Sequence, residues 1–280
     1  MTTSTADPLV TLSKLPGVTD AVDEARTAVD RVRAHKVLRS RSAEVTAESA
    51  LRGARASAAI AGADWPLEEL RRRTDLGGEP GAGLVRGALR VSGELSPLLT
   101  VLRQAPAQAL TRMHMLAAAG EIDPARIGRP RGLDQAGHGS PDDVIIEPGG
   151  PSVPVPAAEA SERLTALTGV LSAPSKAPAL VVAAVAYGEL LSTTPFGWGD
   201  GLVARAVFRL LLVARGLDPQ SLAIPEVGFL ELGLTARQEA LAGYASGTAS
   251  GVCDWIVHCG QALVLGARES LAVCEALMRG

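Results

Sequence analysis

Apolar and polar positions follow a helical period over most of the chain. From Val22 to Ile60 there is no proline and a single glycine, Gly53, while Val29, Val32, Val37, Leu38, Val45 and Leu51 recur among charged residues. The pattern predicts one or two long amphipathic helices, with Gly62 as the stop. Asp64 as a cap and Pro66 in the first turn predict a short helix over Leu67–Arg73. Further helices are predicted over Leu84–Leu102, Pro106–Ala119, Ala157–Leu171, Ala177–Leu191, Leu202–Gly216, Leu234–Ser246 and Val252–Met278. The segment Ala177–Leu191 is apolar all round, so it should be buried at the centre of a bundle. Residues 1–20, with Pro8, Pro16 and Gly17, read as an arm lying on the body, and the Pro-, Gly- and Asp-rich stretch 120–156 reads largely as loop.

Composition agrees with an all-α fold. Hydrophobic residues make up 47% of the 280 positions and aromatic residues only 3%, which favours closely packed helices over a β-sandwich. Basic residues are nearly all arginine, with lysine only at positions 14, 36 and 176, a skew expected from a GC-rich bacterial genome. A net charge of −3 offers no basic field for nucleic acid. The longest apolar run, Ala177–Gly188, is shorter than the ~20 residues a membrane span needs. No charged n-region with an apolar run opens the chain, so a cytoplasmic location is expected. Cys253, Cys259 and Cys274 lack metal-ligand spacing and are expected to be reduced and buried. His114 sits among core-like neighbours, and His138 lies in the long loop.

The candidate chemistry lies in Thr193–Arg205, T-T-P-F-G-W-G-D-G-L-V-A-R, where Gly199 and Gly201 feed an apolar run. A glycine-rich curl entering a helix N-terminus presents unpaired N–H groups and is a ready anion site. The stretch resembles the signature of the Fic (Fido) family of AMP-transferases, H-P-F-x-[DE]-G-N-G-R-x-x-R, matching it at Pro195, Phe196, Gly199, Gly201 and Arg205. It departs from the signature where the family's chemistry lies. Thr194 stands at the general-base histidine, Trp198 at the metal-binding acid, Asp200 at the phosphate-contacting asparagine and Leu202 at the first phosphate-binding arginine. A second stretch, Ser57-Ala-Ala-Ile-Ala61-Gly62 before Trp65-Pro66-Leu67-Glu68-Glu69, is similar to the family's inhibitory helix, [ST]-x-x-x-E-[GN]. Ala61 replaces the inhibitory glutamate, which implies an Arg205 left without its expected partner. Gly128-Arg129-Pro130-Arg131 and Val144-Ile145-Ile146 are weaker matches to a family turn and to a short hairpin flap.

The resemblance implies a Fic-like helical bundle with a short β-hairpin flap. The resemblance spans roughly Leu38 to Leu217, and the chain as a whole divides into an arm (1–20), a core (21–217) and a C-terminal helical extension (218–280) without a recognisable motif, packed on the core or forming a homodimer face. An AMP-transferase needs a base, a metal and phosphate donors, and the sequence retains almost none of them. Thr194 cannot titrate near neutral pH, Trp198 cannot ligate Mg²⁺, and Asp200 brings negative charge into the anion curl. No catalytic residue and no metal ligand is assigned; ATP with Mg²⁺ is disfavoured, and Gly199, Asp200, Gly201 and Arg205 remain as anion-loop candidates. Pro195, Phe196, Trp198 and Leu202 would shape the pocket, while Ser57, Ala61 and Gly62 form the regulatory-like segment. The preferred reading is a pseudoenzyme that binds or regulates through the old cleft, taking an extended protein partner at flap residues 144–147 by β-augmentation. The alternative is an active nucleotidyl- or phosphate-group transferase with an altered donor, using Asp200 and Arg205, with Glu189 or Asp142 helping to hold a cation.

Overall fold

The computed structural model describes residues 7–131 and 144–279; His138 and Asp142 lie outside them. Thirteen α-helices occur among the described residues: α1 Pro8–Leu12, α2 Val18–Arg33, α3 Leu38–Ile60, α4 Leu67–Arg72, α5 Ala82–Gly93, α6 Leu95–Gln104, α7 Pro106–Ala118, α8 Ala157–Ser172, α9 Ala179–Thr193, α10 Asp200–Ala214, α11 Pro225–Leu232, α12 Leu234–Ala245 and α13 Ala249–Arg279.

The core is organised on α9 and α10. In α9 only Val185 and Glu189 escape burial between Leu180 and Thr193, and α10 is buried continuously from Asp200 to Leu212. Helices this apolar are stable only when surrounded. Accordingly α9 packs on α2, α8, α12 and α13, while α10 packs on α3, α5, α6 and α7. The turn joining the two central helices is thereby held in the middle of the molecule.

Several elements differ from the sequence expectation for local physical reasons. The arm contains a helix, α1, whose first turn is capped by the Asp7 carboxylate accepting from Leu9 N–H at 3.0 Å, with Leu9 buried. Leu84–Leu102 is two helices, because Glu94 leaves the helical region at φ −101°, ψ 6°. The Ile224-Pro225 pair opens α11, for which no helix is predicted above, since proline at the first helical position gives up only a donor that lacks an intrahelical partner. The hairpin flap is not formed: 144–147 is irregular and no strand occurs among the described residues. Its backbone makes one bond to the signature loop, Ile145 N–H to Gly197 O at 2.8 Å, so it lies against the loop as a strap.

The C-terminal helices are part of the core. Along α13, Trp255, Cys259 and Leu263 are fully buried, and Trp255 donates its indole N–H to Ala184 O in α9 at 2.7 Å. Cys259 and Cys274 are buried, Cys253 is half-buried, and all three are free thiols. Helix α13 meets α11 where Gly228 lies against the α13 backbone; a Cβ there would fall 1.8 Å from Ala262 O. Gly228→Ala is therefore expected to force α11 and α13 apart and cost about 1–3 kcal/mol by overpacking. Urea unfolding checks this, and an unchanged midpoint would refute the packing described.

Candidate functional site

The turn after α9 is strained and clamped. Thr194 closes α9 in the left-handed region at φ 42°, ψ 59°, which a β-branched residue adopts at a cost of about 1–3 kcal/mol. The clamp is Arg131, itself buried. Its Nε donates to Thr194 O at 2.8 Å, its Nη2 to Thr193 O at 2.8 Å, and its backbone N–H to Pro195 O at 2.7 Å. The Gly128–Arg131 turn thus holds the start of the signature-like loop in place. Pro195 and Phe196 are buried behind it, and the Phe196 ring stacks on His114 with centroids 4.3 Å apart and planes 11° from parallel.

His114 packs and orients the loop. Its Nδ1 accepts from Gly128 N–H at 2.9 Å, so Nε2 carries the proton and faces Trp198 O at 3.2 Å. Burial pushes its pKa down to about 4, keeping the ring neutral.

Gly197 and Gly199 then take positive φ, 76° and 66°, and Gly199 is the N-cap of α10. Asp200, the first residue of the helix, turns its carboxylate back so that Oδ1 accepts Phe196 N–H at 2.9 Å. Its other oxygen, Oδ2, is buried without a partner, as is Thr194 Oγ1. Burial pushes the Asp200 pKa up to about 7, against the pull of the Phe196 N–H and of Arg131.

The anion curl is filled from within the chain. Glu147, on the strap, sits over Gly201 so closely that a Cβ there would meet Oε2 at 1.8 Å. Its carboxylate takes both prongs of the Arg205 guanidinium, Nη1–Oε1 at 2.7 Å and Nη2–Oε2 at 3.0 Å. Arg205 also donates from Nε to Ser57 Oγ at 2.8 Å and from Nη2 to Ser57 O at 2.9 Å. The arginine expected to lack a partner is therefore fully engaged, by a residue 58 positions before it. A second buried arginine, Arg237 of α12, reaches Glu147 Oε1 at 3.1 Å and donates to Pro148 O.

Sequence reasoning placed Glu147 at the end of a flap strand and did not single out Arg237. One signal was available for the first: Glu147 is the only charged residue between Val144 and Pro156.

The remaining candidates divide by location. Ser57 meets Arg205, Ala61 lines the cleft, and Gly62, at φ 104°, follows the end of α3. Leu202 is only 2% exposed and packs into the core. Trp198 is half-buried and lines a cavity of about 110 Å³ with Leu84, Ile146, Leu191, Thr194 and Asp200 among others. Glu189 is committed elsewhere, to Arg163 at 2.9 Å and to Tyr244 Oη at 2.7 Å. At the positions that the resemblance assigns to metal and phosphate stand Trp198, half-buried, and Leu202, in the core, and the Asp200 carboxylate lies at the N-terminus of α10.

No protein-family model matches the chain, and no curated protein matches it. Solved structures do. A Fic family protein from Desulfovibrio desulfuricans G20 superimposes with a TM-score of 0.69 at 18% identity, over 92% of this chain and 75% of its own. Fic-1 from C. elegans superimposes with a TM-score of 0.61 at 17% identity, over 91% of this chain and 71% of its own. Identities this low speak to architecture alone, and the architecture is clear: the chain has the all-α Fic fold.

Proposed function

We propose that this is a catalytically degenerate Fic-like protein that works by binding through the former nucleotide cleft. The observation that carries the reading is Glu147, whose carboxylate lies on Arg205 and over Gly201, where an anionic ligand would have to sit. A nucleotide phosphate would meet that carboxylate and the Asp200 side chain before it met a free donor. Thr194 supports the reading, since a hydroxyl alone cannot serve as the general base near neutral pH. A protein partner belongs to the same reading: Ile145 and Val153 expose 64% and 72% of their surface beside the cleft-lining residues of the strap.

The test is a calorimetric titration of the protein with ATP, with and without Mg²⁺, beside the Leu202→Arg/Asp200→Asn variant. No heat is expected from the wild-type chain, and recovered binding in the variant would support a cleft emptied of its nucleotide role. Saturable binding by the wild-type chain would overturn the proposal. It would favour the alternative of an altered transferase, for which Asp200, whose pKa burial pushes up to about 7, is a candidate proton carrier.

A further inference from the structure

We infer that the groove between α2 and the N-terminus of α9 is a docking site for an extended acidic segment of a partner protein. It lies at the opposite end of α9 from the signature-like loop, about 22 Å away at 1.5 Å per residue. It is therefore a second surface, independent of the cleft and of what the cleft binds.

The groove encloses about 530 Å³, and three segments line it. Helix α2 presents Val22, Arg26, Asp30 and Arg33, whose steps of four, four and three place them on one face. Lys176 and Leu180 come from the entry to α9, and Arg215 and Leu217 from the turn after α10. Four basic side chains thus stand around one acid, in a chain whose net charge is −3.

These positive charges are not used up within the fold. Arg26 and Lys176 are exposed, and neither side chain is paired among the described residues. Arg33 spends one nitrogen, Nη1, on Asp30 at 3.0 Å and keeps its remaining N–H donors. Arg215 is half-buried and donates from Nη2 to the carbonyls of Ser175 at 2.8 Å and Ala177 at 3.1 Å, which fixes the turn but sets no acid against its charge. Asp7, beside Lys176, is committed to the N–H groups of Leu9 and Lys176. Helix α9 adds charge of the same sign: no side chain caps its N-terminus, and Pro178, Ala179 and Leu180 open on the groove. The carbonyl end of α10 opposes this, and Arg103 covers part of it by donating to Ala214 O at 3.2 Å.

Spacing selects the occupant. One contact between exposed charges is worth little and is screened by salt, so a small anion gains too little to stay. An extended chain meets several cations in a single binding event. Arg26 and Arg33 stand seven residues apart, about 10.5 Å along α2, and carboxylates three residues apart on an extended backbone stand about 10 Å apart. Small apolar residues between those acids would rest on Val22, Leu180 and Leu217. A nucleic acid is the poorer fit, because its phosphates continue past the groove onto a chain that is acidic overall.

The probe is the fluorescein-labelled heptapeptide Glu-Ala-Ala-Glu-Ala-Ala-Glu, titrated with the full chain at low salt and followed by fluorescence anisotropy. The expected result is saturable binding that weakens as salt is raised and is absent for the peptide with glutamine in place of glutamate. Arg26→Glu/Lys176→Glu is expected to weaken it by about tenfold or more. Arg31→Glu/Arg39→Glu makes the same change in net charge at exposed residues outside the groove, and is expected to weaken it by less than about twofold. Thermal melts establish that both variants fold. No saturable binding, equal binding of the glutamine peptide, or equal losses in the two variants would overturn the inference. So would displacement of the peptide by pyrophosphate at matched ionic strength, or tighter binding of an oligothymidine, either of which would make the groove a phosphate site.

Discussion

Replacing Glu147 by alanine is expected to destabilise the protein by about 3–5 kcal/mol, the range seen when one partner is removed from a buried ion pair. Arg205 and Arg237 are 1% and 3% exposed, and Glu147 is the carboxylate that both of them contact. Arg205 would keep its two bonds to Ser57, and Arg237 its bond to Pro148 O, so their hydrogen bonding would survive in part while the charge would not. Glu147→Gln separates the two effects, since it preserves shape and loses charge. The alanine variant carries a second expectation: inorganic pyrophosphate should raise its unfolding midpoint and leave that of the wild-type chain unchanged, because a bound anion stabilises only the state that has room for it. Urea melts with and without pyrophosphate measure both. Wild-type stability in the alanine variant would mean that the two arginines are solvated, contrary to the packing described.

Asp200→Asn is expected to stabilise the protein at neutral and alkaline pH, by on the order of 3 kcal/mol at pH 8. The carboxyl has a pKa of about 7 in the fold against an ordinary 3.8, because burial disfavours its charge. The folded state therefore holds the proton over a range in which the unfolded chain has released it. Stability is fully present below about 3.8, declines as pH rises, and reaches its floor once pH passes about 7. Asparagine keeps an oxygen for Phe196 N–H and has no proton to lose, so the gap between the two proteins should be small at pH 4 and widen toward pH 8. Thermal melts across that range measure it; a gap independent of pH would show that Asp200 is ionised in the fold at all these values.

How much of this was legible beforehand depends on sequence distance. The central pair of helices and the turn between them were readable, because an apolar run, two glycines and a Pro-Phe pair are local signals. The resemblance to the Fic signature carried the fold as well, and the superpositions uphold it. The short helix at Pro225 was hidden by a proline that could equally mark a loop or a first turn, and the break at Glu94 is flanked by Gly93 and Pro97, punctuation that the continuous apolar pattern of Leu84–Leu102 outweighed. The strap was expected to be a strand because Val144, Ile145 and Ile146 fall where the resemblance places a hairpin flap, yet no strand occurs among the described residues to form a ladder with it. The ion cluster was beyond local reading altogether. Ser57, Glu147, Arg205 and Arg237 belong to four separate segments, and only the folded chain shows that the inhibitory-like segment offers a serine where the strap offers the carboxylate.

The same dispersal sets an order of assembly. The Arg205 guanidinium contacts residues 148 and 58 positions away, and Glu147 contacts an arginine 90 positions further on. Each contact closes a long loop, and loop-closure entropy has to be overcome before the contact returns anything. Local helices and the apolar α9–α10 pairing can form without them, whereas a half-built cluster would strand charged groups away from water. That cost favours an order in which α3, α10 and α12 converge before the strap is fixed over them. In that order the carboxylate that fills the cleft would be contributed by the completed fold rather than by any local segment.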